Sequence, residues 1–121
     1  MNPADLFRRD SDAIQLSAGE FLFREGETGD KMYVLVEGLA EIRLGDLVLE
    51  TAGPGALVGE MALIDQTPRT ASVIAKTPAR FAQIDQRRFH FLVQQTPNFA
   101  THVMKVLAER LRHMNALAST R

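Results

Sequence analysis

Apolar and polar positions follow one rhythm in the first two thirds of the chain and another in the last third. From Ala13 to about Ile84 the apolar residues come in short runs, several alternating with polar residues and several rich in β-branched or aromatic side chains. They predict strands at Ala13–Leu16, Phe21–Arg24, Met32–Val36, Ala40–Leu44, Leu47–Glu50, Thr70–Ala75 and Ala79–Ile84. Beyond that the spacing lengthens. Gln86–Gln95 predicts a helix that ends ahead of Thr96-Pro97, because proline disfavours helical backbone in the residue before it. A second helix is predicted from about Pro97 to Leu117, with the proline in its first turn, where the missing N–H costs nothing. Its apolar stripe includes Val103, Leu107, Leu111, Met114 and Ala118, at spacings of three and four. That stripe has two readings: packing on the chain's own β body, or pairing with the same helix of a second copy. Ahead of Ala13 the residues are mostly polar and predict one helical turn around Asp5–Arg9.

All eight glycines lie between Gly19 and Gly59, beside or between the predicted strands. Such spacing implies a compact barrel or sandwich with tight turns. Gly45-Asp46 reads as the turn of a hairpin. The economical organisation is a single domain over residues 1–121: an N-terminal segment at 1–12, a β body at 13–84, and a pair of helices at 86–118.

Composition narrows the function classes. A chain of 121 residues with 45% hydrophobic and 24% charged residues can bury one substantial core. A net charge of -1 gives no bulk attraction to nucleic acid or to an anionic membrane, and no window approaches the ~20 apolar residues of a membrane span, so neither direct nucleic-acid binding nor membrane insertion is expected. The absence of cysteine removes disulfides and thiolate chemistry and suits a cytoplasmic location. His90, His102 and His113 lack metal-ligand spacing, and no serine sits in a nucleophile motif, so neither a metal nor a catalytic residue is expected.

The chemistry concentrates in Gly59-Glu60-Met61-Ala62-Leu63-Ile64-Asp65-Gln66-Thr67-Pro68-Arg69-Thr70-Ala71-Ser72-Val73. Gly59 and Ala62 let backbone N–H groups approach a ligand, and a short helical turn at Glu60–Leu63 would aim unpaired N–H groups at an anion. Arg69 can hold a phosphate through two parallel hydrogen bonds. Glu60 can only accept when ionised, which suits a sugar hydroxyl. One acid, one arginine and small residues between them describe a cradle for a nucleotide monophosphate. The plainer alternative is that Glu60 and Arg69 form a surface ion pair.

This segment resembles the phosphate-binding cassette of cyclic-nucleotide-binding domains, the family of the bacterial catabolite activator protein and the protein kinase A regulatory subunit. The pattern is Gly-Glu-apolar-small-Leu, a short loop, then Arg-small-Ala-small-Val, and every element stands in this chain. The stretch Ala18 to Gly38 fits the family's glycine register, and Val106 to Arg112 is similar to the long helix of its bacterial members. The resemblance implies a β-roll, a jelly-roll-like barrel, with a short N-terminal helix and two C-terminal helices. It implies that Arg69 and the N–H groups of Ala62 and Thr70 take the cyclic phosphate. Glu60, supported by the Gly59 carbonyl, takes the ribose 2′-OH. Leu57, Val58, Leu49 and Arg110 are expected near the base. The ligand is then cyclic AMP or cyclic GMP, with no further cofactor, and the Thr70 hydroxyl keeps both open.

Two departures stand out. Relatives often carry an aromatic pair where this chain has Leu57-Val58, and the chain stops soon after the long helix, without the helix-turn-helix of the catabolite activator protein. A non-enzymatic sensor whose output lies in an unknown effector protein or domain is therefore expected, with homodimerisation through the last helix possible. A dimerising or partner-docking scaffold that binds no nucleotide is the competing reading.

Overall fold

A computed structural model describes residues 1–119; Thr120 and Arg121 lie outside them. Eight strands are arranged in two four-stranded antiparallel sheets. One sheet has the order β1 (Ile14–Leu16), β8 (Ala79–Ile84), β3 (Met32–Glu37), β6 (Leu57–Val58), and the other β2 (Phe21–Phe23), β7 (Ser72–Ala75), β4 (Ala40–Leu44), β5 (Leu47–Ala52). A 3-10 helix (Pro3–Phe7) precedes them, α1 (Glu60–Asp65) interrupts them, and α2 (Gln86–Gln95) and α3 (Pro97–Ser119) follow. This is the β-roll with terminal helices that the resemblance implies.

The central strands explain why both layers are needed. On β3, Met32, Val34 and Val36 belong to a core that includes Phe7, Leu92, Phe99 and Val103, under the terminal helices. Leu35, between them in sequence, belongs to a second core with Phe23, Val58, Val73 and Phe81. A strand sends successive side chains to opposite faces, so β3 is covered on both sides. The same rule divides β8, with Ala82 and Ile84 in the first core and Ala79 and Phe81 in the second.

Local chemistry accounts for the ends of the elements. Gly45-Asp46 is the two-residue link between β4 and β5, with Gly45 left-handed. Asp85 caps α2 by accepting from the Arg88 N–H at 2.8 Å. The chain breaks at Thr96 and restarts with Pro97 as the first residue of α3.

Several expectations shift. The N-terminal turn lies at Pro3–Phe7 rather than Asp5–Arg9, because Asn2 accepts from the Ala4 N–H and Phe7 is drawn into the core. Phe7 meets Phe99 edge-on, ring centroids 6.4 Å apart. Strand β7 begins at Ser72 rather than Thr70, and β6 was not expected at all. The stripe on α3 divides between its two readings. Val103 is buried and Val106 and Leu107 pack on the first core, whereas Leu111 and Met114 are 60% and 66% exposed.

Candidate functional site

The cassette bridges the two sheets, running from the end of β6 to the start of β7. Gly59 precedes α1 with φ +75, a left-handed conformation that glycine adopts at little cost. Its neighbour Glu60 opens α1 and is only 6% exposed. Ala62, the third residue of α1, is buried, and its N–H belongs to the first turn, where helical partners are missing. The helix closes at Gln66, the one non-glycine residue with positive φ among those described, whose N–H reaches the Ala62 carbonyl at 3.1 Å.

Arg69 follows an exposed loop, yet it too is only 6% exposed. The turn after β2 fixes its backbone: its N–H donates to the Glu27 carbonyl and its carbonyl accepts from the Gly26 N–H, both at 2.8 Å. Its Nη1 donates to the carbonyls of Lys31 at 2.9 Å and Gly59 at 3.1 Å. The guanidinium lies over the Phe23 ring, 4.1 Å from the centroid, with the Tyr33 ring at 5.6 Å. Buried Nε has no hydrogen-bond partner. No carboxylate forms an ion pair with Arg69 among the described residues. The plainer alternative therefore fails: Glu60 and Arg69 are both buried and are not paired with each other.

Glu60 has a different partner. Arg110, on α3 and fifty positions along the chain, forms a close ion pair with its carboxylate. The second Arg110 nitrogen donates to the Leu57 carbonyl at 2.7 Å and lies 3.6 Å from the Glu50 carboxylate on β5. Arg110 thus ties α3 to β5, β6 and α1.

The remaining expected residues fall as follows. Thr70 is exposed next to Arg69. The Gly59 carbonyl already accepts from Arg69. Leu57 and Val58, at 1% and 2% exposure, have their side chains in the first and second cores, as the period of a strand requires. Both expected base contacts thus point their side chains away from solvent, and Leu57 meets the site through its carbonyl. Leu49 is exposed on β5. Sequence reasoning missed Phe23, Tyr33, Lys31 and Glu50. They come from three strands and a loop, and only the aromatic residues of β2 and β3 could have hinted at the first two. Among the described residues no three side chains gather to hold a metal ion, and no helix is long and apolar enough to cross a membrane.

A family model for the cyclic nucleotide-binding domain matches residues 13–96, and the chain belongs to that family. Particular relatives show how the domain is deployed. The chain is 28% identical over 109 residues to a CRP-like cAMP-activated global transcriptional regulator of Mycobacterium tuberculosis, covering 84% of this chain and 48% of that protein. It is 38% identical over 98 residues to a cyclic nucleotide-gated potassium channel of Mesorhizobium japonicum, covering 81% and 27%. It spans about half or less of these curated relatives. Among solved structures, the catabolite activator protein of Thermus thermophilus superposes with TM-score 0.76 at 28% identity, over 86% of this chain and 51% of that one. A structure from a cyclic-GMP-dependent signalling pathway of bacterial phytopathogenesis gives TM-score 0.75 at 28% identity, over 90% of both chains.

Proposed function

We propose that this chain binds a purine 3′,5′-cyclic monophosphate and acts as a sensor rather than an enzyme. The observation that carries the reading is Arg69, a buried guanidinium with an orphaned Nε and no carboxylate partner among the described residues. A buried charge without a counter-ion is costly, and an anionic ligand would relieve it. In this reading Arg69 and the N–H groups of Ala62 and Thr70 take the phosphate. Glu60 takes the ribose 2′-OH, with the Gly59 carbonyl beside it, and Arg110 and Leu49 lie toward the base. Cyclic AMP and cyclic GMP are both candidates, since a cAMP-activated regulator and a cyclic-GMP-dependent pathway protein are similar to this chain and Thr70 is exposed beside Arg69.

The output follows from Arg110. A ribose hydroxyl donating to Glu60 competes with Arg110 for one carboxylate, so binding shifts the balance of α3 positions. The domain over residues 1–121 then works as one unit whose effector is another protein or domain, and the cysteine-free chain suits a cytoplasmic setting. Calorimetric titration with each nucleotide tests the reading. Saturable binding of at least one is expected, and no heat at millimolar ligand overturns it.

A second reading is favoured by the exposed Leu111 and Met114 on α3. They would pair with the same helix of a second copy and bury apolar area that the chain's own β body leaves uncovered. Analytical ultracentrifugation should show a dimer that Leu111→Gln with Met114→Gln converts to monomer. If the wild type dimerises and nucleotide leaves its melting temperature unchanged, the scaffold reading replaces the sensor.

A further inference from the structure

Most arginines that hold phosphate could be steadied by an acid, but an acid would also compete with the ligand. Here the groups around Arg69 are of another kind. Two carbonyls, of Lys31 and Gly59, take Nη1. The faces of Phe23 and Tyr33, themselves in contact with centroids 6.0 Å apart, flank the guanidinium. Asp30, the nearby acid in sequence, is exposed and outside ion-pair distance. On another side stands Gly29. A Cβ there would lie 2.5 Å from Nη2 and 2.6 Å from both Cζ and Nε. Gly29 does not have a positive φ, so no turn conformation demands glycine at this position. The three nearest atoms all belong to the Arg69 guanidinium.

We propose that Phe23, Tyr33 and Gly29 are positioning residues that fix Arg69 through neutral contacts alone, so that its full charge stays available to a phosphate. The proposal rests on the nucleotide-binding reading and adds residues outside the cassette. Aromatic faces attract a cation without neutralising it. Carbonyl acceptors orient one nitrogen and carry no net charge. Nη1 is engaged, whereas buried Nε has no hydrogen-bond partner, and the Nε–Nη2 edge of a guanidinium is a fork suited to two oxygens of one anion. The missing side chain at Gly29 leaves room for the guanidinium beside the aromatic wall.

The sharpest test is Gly29→Ala. The clash is with the far end of a flexible side chain, so Arg69 swings away and the fold is spared. Unchanged melting without ligand, together with about tenfold weaker cyclic nucleotide binding, is the expected result. In an Arg69→Ala background the same change should cost no further affinity, because the residue it acts through is gone. Phe23→Leu, which keeps apolar volume and removes the ring, should weaken binding by about two- to thirtyfold, and it carries the test if Gly29→Ala does not fold. A wild type that binds while Gly29→Ala and Phe23→Leu bind equally well overturns the cradle and leaves nucleotide binding standing. So does a Gly29→Ala loss that persists undiminished in the Arg69→Ala background. A wild type that binds neither nucleotide overturns both.

Discussion

The two ends of the cassette bury opposite charges and treat them in opposite ways. At the α1 end, Glu60 is met by Arg110, a cation delivered by the last helix. At the β7 end, Arg69 is met by carbonyls and aromatic faces and by no acid among the described residues. One end is therefore ion-paired in the ligand-free chain and depends on a helix far away in sequence. The other keeps its charge and is held by groups from β2, β3 and the loop between them, together with the Gly59 carbonyl. A cyclic nucleotide would make unequal demands on them: its phosphate would complete the Arg69 end, while its ribose would disturb the Glu60 end. Affinity and signal would then have different addresses within fifteen residues.

The largest expected effect tests the unpaired end. Arg69→Met should weaken cyclic nucleotide binding by about 1.5–3 kcal/mol, read by calorimetry, since a charge-assisted hydrogen bond is lost. Its melting temperature without nucleotide should equal or exceed that of the wild type, because exchanging a buried charge for an apolar side chain of similar length is often neutral or stabilising. A variant that melts well below the wild type would show that Arg69 is structural, and the contrast between the two ends would collapse.

The paired end should respond the other way. Arg110→Ala leaves a buried carboxylate without its cation and should destabilise the ligand-free protein by roughly 1–3 kcal/mol in denaturant titration. Arg110 is about a third exposed, which keeps the figure below that of a fully buried pair. If stability is unchanged, the contact is no stronger than a surface ion pair and cannot transmit ligand binding to α3.

Much of this was legible in the sequence. Helix α2 has the predicted limits, the Gly45-Asp46 hairpin is where its turn residues place it, and the cassette spacing marks the segment that joins the sheets. What escaped notice depends on contacts between distant residues. Strand β6 is two residues long, too short for any period to show, and exists because Val34 pairs with Leu57 and Tyr33 with Val58. Phe7 sits in a polar stretch and shows its core role only when the N-terminal segment folds over β3 and α3. Gly29 reads as one more turn glycine until the Arg69 side chain is seen to fill its place. The even period of the α3 stripe also conceals that its first half packs inward and its second half does not.

The smallest expected effect probes the contact between Tyr33 and Arg69. Burial raises the Tyr33 phenol above the ordinary tyrosine pKa of 10.0; the Arg69 charge pulls it down, and Asp30 adds to the rise. A group with a higher pKa in the folded protein favours folding fully below its unfolded value, and that contribution is lost as the pH rises through the folded value. Tyr33 is the single tyrosine and the chain has no tryptophan, so phenolate absorbance reports this residue alone. The native phenol should titrate at higher pH than the same chain in denaturant. Tyr33→Phe should flatten the loss of stability above about pH 10. In Arg69→Met, removal of the opposing cation should move the phenol higher still, and a phosphate bound on Arg69 should move it in the same direction. A phenol indifferent to Arg69→Met would mean that the ring and the guanidinium do not sense each other, leaving Phe23 as the only aromatic face that holds the phosphate arginine.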